Sequence, residues 1–77
     1  MAIHVKYFAS LRQRMGRDQD MIDAAGLATA ADVWARVSGS DSLPGNVRIA
    51  VNLEYAKPER QIADGDEVAF FPPVTGG

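Results

Sequence analysis

The sequence predicts an α+β fold in which a helix covers one face of a mixed sheet. In residues 2–8 and 47–51, every second side chain is apolar and faces inward, which is the pattern of a half-buried strand. The stretch that follows Thr29 repeats its apolar residues at the spacing of an amphipathic helix. Strands on both sides of a helix in one short chain indicate the α+β class.

The first predicted strand divides its side chains between two faces. Ile3, Val5 and Tyr7 fall on the inward face, whereas His4 and Phe8 fall on the outward face. His4 has no acidic or nucleophilic partner at a readable spacing. We therefore interpret it as a solvated imidazole and not as a catalytic base.

A short helix and a weak second strand are predicted next. Ser10 can cap a helix that ends at Met15, because Gly16 accepts the left-handed conformation of a helix stop. Residues 18–24 are predicted to form the strand. Three basic residues lie on this helix or just after its end, and we interpret them as solvated side chains and not as an anion site. They are Arg12, Arg14 and Arg17.

The main helix is predicted to begin after Thr29. The Thr29 hydroxyl can cap it, and Asp32 lies in the first turn, where a negative charge favours the helix dipole. The predicted apolar face comprises Ala30, Val33, Trp34 and Val37. Trp34 is the predicted core anchor, because a large aromatic ring on this face buries much apolar surface.

The second half of the chain is predicted to be a loop followed by three strands. Residues 38–46 contain turn formers throughout and lack the spacing of a phosphate-binding loop. The inward residues of the next strand are Val47, Ile49 and Val51. A short strand at residues 53–55 and a core residue, Ile62, precede the closing strand at residues 67–71.

The composition argues against several classes of function. The 77 residues carry a net charge of −2 with both signs scattered, so no basic patch predicts a nucleic-acid partner. Without cysteine there is no disulfide, thiolate metal site or cysteine nucleophile, and one histidine provides no metal-binding spacing. No apolar run approaches the ~20 residues of a membrane span, and no signal pattern is present. We expect a cytoplasmic protein, without a membrane or nucleic-acid partner, that is not an enzyme by itself.

Residues 64–77, DGDEVAFFPPVTGG, combine a turn, a strand, a stiff spacer and an end of small residues. An Asp-Gly-Asp turn precedes the strand, and the proline pair after Phe71 cannot donate to a sheet ladder. The sequence thus predicts a domain of residues 1–71 and an extended tail of residues 72–77. When extended, the tail reaches roughly 20 Å, far enough to enter the active site of a partner.

The run DGDEVAFFPPVTGG resembles the C-terminal signature of the small, sulfur-carrying subunits of molybdopterin synthase, a ubiquitin-like β-grasp family. The opening strand and helix, and VRIAVN at residues 47–52, fit the family pattern more loosely. Residues 17–46 carry no recognisable family residues. The resemblance implies a β-grasp fold, with the first and last strands as parallel neighbours at the centre of the sheet.

The resemblance also implies a chemistry for the tail. In this family an ATP-dependent activating enzyme adenylates the terminal glycine carboxylate and converts it to a thiocarboxylate. The large synthase subunit then receives the tail, and the sulfur passes to cyclic pyranopterin monophosphate. The corresponding reactive residue is Gly77, with Gly76 and Thr75 giving access through a narrow channel. The implied covalent forms are the glycyl adenylate and the thiocarboxylate, with no permanently bound cofactor and no metal.

Alternation in the closing strand predicts which aromatic side chains meet the large subunit. Phe70 falls on the core face, whereas Ala69 and Phe71 fall on the solvent face, so Phe71 is predicted to be exposed. Phe8 lies outward by the same alternation in the first strand, and Tyr55 matches an apolar, partner-facing position of the family. These three aromatic residues are the predicted partner interface.

Two alternative functions remain open at this stage. A sister sulfur carrier, serving thiamine synthesis or tRNA thiolation, would share the fold and the Gly-Gly end. A ubiquitin-like modifier would instead form an isopeptide bond to lysines of its targets. The mass of the native protein separates a carrier, which exchanges one oxygen for sulfur, from a modifier, which leaves adducts on other proteins.

Overall fold

The computed structural model of the chain describes residues 2–40 and 43–72. The elements follow the order β1 (Ala2–Tyr7), α1 (Ser10–Met15), β2 (Gln19–Asp23), α2 (Ala30–Ser38), β3 (Arg48–Val51), β4 (Glu54–Ala56) and β5 (Glu67–Phe71). Every predicted strand and helix is therefore present. The hydrophobic periods and turn residues were sufficient to locate each element.

The five strands form one mixed sheet in the order β2-β1-β5-β3-β4. β1 and β5 pair in parallel, from His4 opposite Glu67 to Tyr7 opposite Phe70. The other pairs, β1 with β2, β3 with β4 and β3 with β5, are antiparallel. The first and last strands thus lie side by side in the interior of the sheet, which confirms the pairing expected of a β-grasp.

One face of the sheet packs against the helices and carries the core. Phe70 is fully buried, and its ring meets that of Trp34 edge-on, with the ring centroids 5.0 Å apart. The Tyr7 ring stacks on that of Phe70, with the centroids 6.4 Å apart. Both helices contribute to the same cluster, through Leu11 and Val33. Trp34 is therefore the core anchor that the sequence predicts.

α2 begins with a capping box at Thr29. The Thr29 Oγ1 accepts the N–H of Asp32 at 3.3 Å, and the Asp32 carboxylate accepts the N–H groups of Ala28 at 2.9 Å and Thr29 at 3.0 Å. These backbone donors favour the charged carboxylate and lower the pKa of Asp32. The predicted start of this helix is confirmed.

α1 begins differently from the prediction. Ala9, with φ 55°, occupies the N-cap position, Ser10 is the first helical residue, and no side chain caps the helix. The tight turn out of β1 takes over the role of the cap, because the N–H of Leu11 donates to the carbonyl of Phe8 at 3.2 Å. The end of the helix at Gly16, with φ 73°, is as predicted.

The other face of the sheet, here called the open face, is covered by no helix in the part of the chain that the structure describes. Its side chains are therefore available for contacts outside the domain. Among residues 2–40 and 43–72, no helix has the length and apolar character needed to cross a membrane. Over the same residues, no group of three or more His, Cys, Asp and Glu side chains is arranged to hold a metal ion.

Candidate functional site: an apolar groove at the root of the tail

The register of the strands brings residues from distant parts of the chain together on the open face. Ala69 of β5 lies between Lys6 of β1 and Ala50 of β3, and Ala50 in turn pairs with Tyr55 of β4. Phe71 is the next residue of β5 on this face. Because residues opposite each other in a sheet point to the same side, these side chains are neighbours.

These neighbours form a shallow groove of about 260 Å³ on the open face, here called the apolar groove. It is lined by Phe8, Ala50, Leu53, Tyr55, Ala69 and Phe71. The two alanines form its floor, because their methyl groups are shorter than the surrounding aromatic and leucine side chains. The groove can therefore receive an apolar side chain from a partner.

Phe8 is exposed, as the alternation of the first strand predicts, and Tyr55 is exposed as well. The Tyr55 side chain retains 79% of its accessible surface and Phe8 retains 46%. Single exposed aromatic residues are common on protein surfaces, but here two of them border the same groove. The two residues thus lie on one surface, and the role of this surface as a partner interface stays a prediction.

Phe71 is half-buried, so the prediction that it is exposed is wrong. Its ring lies against that of Tyr55, with the centroids 5.7 Å apart and the planes inclined by 53°. β5 lies between β1 and β3 in the sheet, and the ring of Tyr55 on β4, beyond β3, covers part of the Phe71 ring. The same crowding leaves Ala69 only 8% exposed, although the alternation pattern assigned it to solvent.

Leu53 is the lining residue that sequence reasoning did not identify. It was assigned to a strand, but it lies with Asn52 in the turn between β3 and β4, and 88% of its surface is exposed. Both turn residues have positive φ, 52° for Asn52 and 70° for Leu53. Asn52 indicates this turn in the sequence, because asparagine tolerates the left-handed conformation and is typical of two-residue hairpin loops.

The predicted reactive residues lie outside the described residues; they are Thr75, Gly76 and Gly77. What the structure describes is the point from which the tail departs. β5 ends at Phe71, a wall of the apolar groove, and Pro72 follows it outside the strand. A partner that receives the tail would thus begin its contacts next to the groove.

Polar residues occupy the open face beyond the groove. Lys6 forms an ion pair with Glu67, with 3.3 Å between Nζ and Oε1. The imidazole of His4 lies 2.9 Å from the Gln19 side-chain oxygen and 4.0 Å from the same glutamate. Exposed contacts of this kind contribute little to stability.

The arginine that follows α1 has a structural role that the sequence did not reveal. The guanidinium of Arg17 binds the Asp20 carboxylate, donates to the carbonyls of Met15 at 3.1 Å and Val37 at 3.2 Å, and lies over the Tyr7 ring. Each of its three nitrogens thus donates to a group of the chain, which argues against an anion site here. The residue instead connects β2 to the ends of both helices.

A larger depression of about 380 Å³ lies beside β4 and shares Tyr55 with the apolar groove. Phe8 and Phe71 are not among its lining residues, although Arg48, which pairs with Phe71 in the sheet, is. The smaller apolar groove is the one whose lining includes Phe71, the last residue of β5.

Comparison with known proteins shows likeness over the whole chain. The model of the ThiS family matches residues 5–77. The chain is 36% identical over 84 residues to the molybdopterin synthase sulfur carrier subunit of Escherichia coli strain K12, covering 97% of this chain and 99% of that protein. It is 35% identical over 83 residues to the protein of the same name from Chlamydomonas reinhardtii, with both covered in full. The solved structure of SAMP1 from Haloferax volcanii is similar at a TM-score of 0.83 and 29% identity, over the full length of both chains.

Proposed function

Because the chain belongs to the ThiS family, we propose that it is the sulfur-carrying small subunit of a molybdopterin synthase. The observation that carries the proposal is its likeness, over nearly the full chain, to proteins named for this role. The fold supports it, because β5 ends at the apolar groove and leads directly toward the Gly-Gly run.

The proposed chemistry takes place at the carboxyl group of Gly77. An ATP-dependent activating enzyme adenylates the carboxylate, with pyrophosphate as the leaving group. A sulfur donor then displaces AMP to leave a thiocarboxylate. Activation converts a poor electrophile into a good one, and the captured sulfur becomes the nucleophile delivered to cyclic pyranopterin monophosphate. Because Gly76 and Gly77, which follow Thr75, lack side chains, a narrow channel can close around the backbone at the end of the tail.

The proposed partner for delivery is the large subunit of the synthase, which would hold the pterin substrate. Phe8, Tyr55 and Phe71 would contact it beside the root of the tail, because all three border the apolar groove. Aromatic residues that lose their remaining exposed surface in an interface are typical binding anchors.

The proposal is tested by extending the chain beyond Gly77. A short extension leaves the described contacts unchanged but removes the free carboxylate, so the melting temperature should be retained while thiocarboxylate formation stops. Mass spectrometry of the protein after incubation with the activating enzyme, ATP and a sulfur donor detects the exchange of oxygen for sulfur. The matched control carries the same extension before Met1 and should gain sulfur normally. Sulfur transfer to the pterin by the unprocessed C-terminal extension would contradict the proposal.

A second candidate function is that of a protein modifier, which the likeness to the archaeal modifier SAMP1 supports. Both functions begin with an activated terminal glycine, and they differ in what attacks it. A lysine amine of a target gives an isopeptide adduct, whereas sulfur gives a thiocarboxylate. Covalent adducts on other proteins, without sulfur on Gly77, would favour the modifier.

A further inference from the structure

Leu53 has a backbone conformation that leucine disfavours. The turn between β3 and β4 consists of two residues, because Val51 pairs directly with Glu54 on either side of it. Both turn residues have positive φ, which suits Asn52 but places the Leu53 side chain in a crowded left-handed conformation. Glycine is the residue that such loops favour at their second position. The leucine is therefore not explained by the requirements of the turn.

Burial does not compensate for this strain within the described domain. Leu53 is 88% exposed, more than any other large apolar residue of residues 2–40 and 43–72, and it does not belong to the core cluster. It also lines the apolar groove with Tyr55 and Phe71. An isolated exposed leucine needs no explanation, but a strained leucine on the wall of a groove is a different case.

The turn that carries Leu53 is held in place by hydrogen bonds to the start of β5. The backbone N–H of Asn52 donates to the Glu67 carbonyl at 2.8 Å, and the Glu67 N–H donates back to the Asn52 side-chain oxygen at 3.0 Å. The Asn52 amide also donates to Asp66 at 3.0 Å, and Asp66 accepts the N–H of Ala63 at 2.7 Å. The neighbouring backbone is thus fixed before any partner arrives, which lowers the entropy lost on binding.

We propose that Leu53 is a preorganised anchor for the large synthase subunit, which would present an apolar pocket to it. This inference rests on the proposed function, and it extends the docking surface from Phe71 across the sheet to the turn between β3 and β4. The position of Leu53 on the same groove as the root of the tail makes the two surfaces continuous.

The inference is tested by two substitutions of Leu53 and one matched control. Leu53→Ala removes the anchor and keeps a side chain at the strained position, so affinity for the large subunit in a calorimetric titration should fall about tenfold or more. Leu53→Gly relieves the strain, so its melting temperature should equal or exceed that of the wild type while its binding is also weakened. Met21→Ala truncates another exposed apolar residue, 67% exposed and outside the groove, and should bind like the wild type.

The outcomes separate this inference from the proposed function. If the wild-type chain does not bind the large subunit, both fail. If the wild type binds and Leu53→Ala binds equally well, only the role of Leu53 is overturned. It is also overturned if Met21→Ala weakens binding as much as Leu53→Ala, or if Leu53→Gly melts earlier than the wild type. Weakened binding by both Leu53 variants, with retained melting temperatures, supports it.

Discussion

Phe70 and Phe71 are adjacent in sequence and lie on opposite faces of the same central strand. Phe70 is fully buried against Trp34 and Tyr7, whereas Phe71 is half-buried against Tyr55. Truncation of the two rings therefore removes different interactions. Truncation of Phe70 should lower the stability of the folded domain. Truncation of Phe71 should lower both the stability and the affinity for the proposed partner.

Phe70→Ala should destabilise the fold by about 3–5 kcal/mol, because it opens a cavity in the core. Phe71→Ala should cost only about 0.5–1.5 kcal/mol of stability, the scale of an aromatic pair, and should weaken binding to the large subunit by more than ~1 kcal/mol. Denaturant unfolding and calorimetric titration measure the two effects. The assignment of faces is wrong if both variants unfold equally early, and the interface role is wrong if Phe71→Ala binds normally.

Tyr7 connects the core to a surface ion pair. Its hydroxyl donates to the Asp20 carboxylate at 2.8 Å, and the same carboxylate binds Arg17. Burial in the core, together with the hydrogen bond to Asp20, raises the pKa of Tyr7 above its ordinary value. The neutral phenol is thus the form that the folded state favours.

The raised pKa of Tyr7 predicts a loss of stability in alkali. A raised pKa in the folded state stabilises the protein below the unfolded-state value of about 10, and this contribution disappears as the pH rises above it. Tyr7→Phe lacks the contribution and should be less stable near neutral pH by about 0.5–1.5 kcal/mol. The difference in the free energy of unfolding between the wild type and Tyr7→Phe, measured in urea, should shrink as the pH rises from about 10. A constant difference would contradict the prediction.

At the scale of elements, α2 shows how a few local contacts determine where a helix begins. Its N-terminus combines the capping box with an isolated β-bridge between Thr29 and Gln61. Ala30 and Ala31 donate their N–H groups to the carbonyls of Arg60 and Pro58, each at 2.9 Å. The start of the helix is therefore attached to the segment that precedes β5.

Thr29→Ala should destabilise the protein by about 1 kcal/mol, because the N–H of Asp32 loses its side-chain acceptor. Thr29→Ser keeps a hydroxyl at the cap and serves as the matched control, with stability close to that of the wild type. Thermal unfolding followed by circular dichroism measures both variants. Equal losses in the two would show that the methyl group of the threonine, and not its hydroxyl, stabilises this end of the helix.

At the scale of the whole molecule, the sheet is organised around a strand from the end of the described chain. β5 pairs with β1 on one side and with β3 on the other. It contributes Val68 and Phe70 to the core and Ala69 and Phe71 to the apolar groove. The segment that completes the fold is thus the same one that leads into the tail, so the tail begins from a rigid position.

This arrangement predicts that truncations on either side of β5 have opposite effects. A chain that ends after Phe71 keeps the central strand and should fold with nearly the wild-type melting temperature, although it cannot carry sulfur. A chain that ends after Asp66 loses the strand between β1 and β3 and should not fold. Circular dichroism and thermal melts distinguish the two. An unstable chain of residues 1–71 would show that the tail contributes to the domain.

The sequence by itself determined the elements, the cap of α2 and the class of the fold. Alternation identified β1 and β3, the threonine and aspartate of the capping box located α2, and the prolines after Phe71 located the end of β5. These features depend on residues close together in the chain, which is why local patterns suffice to find them. The family was readable for a similar reason, because its signature is one continuous run.

The tertiary structure alone decided how far each surface residue is exposed and which residues share a site. Phe71 is half-buried because Tyr55 of another strand lies against it, and Arg17 is occupied because the carbonyl of Val37 lies within its reach. Leu53 lines the apolar groove because the turn between β3 and β4 places it there. Alternation assigns a side chain to a face, but the amount of that face left open depends on neighbours that only the folded sheet brings together.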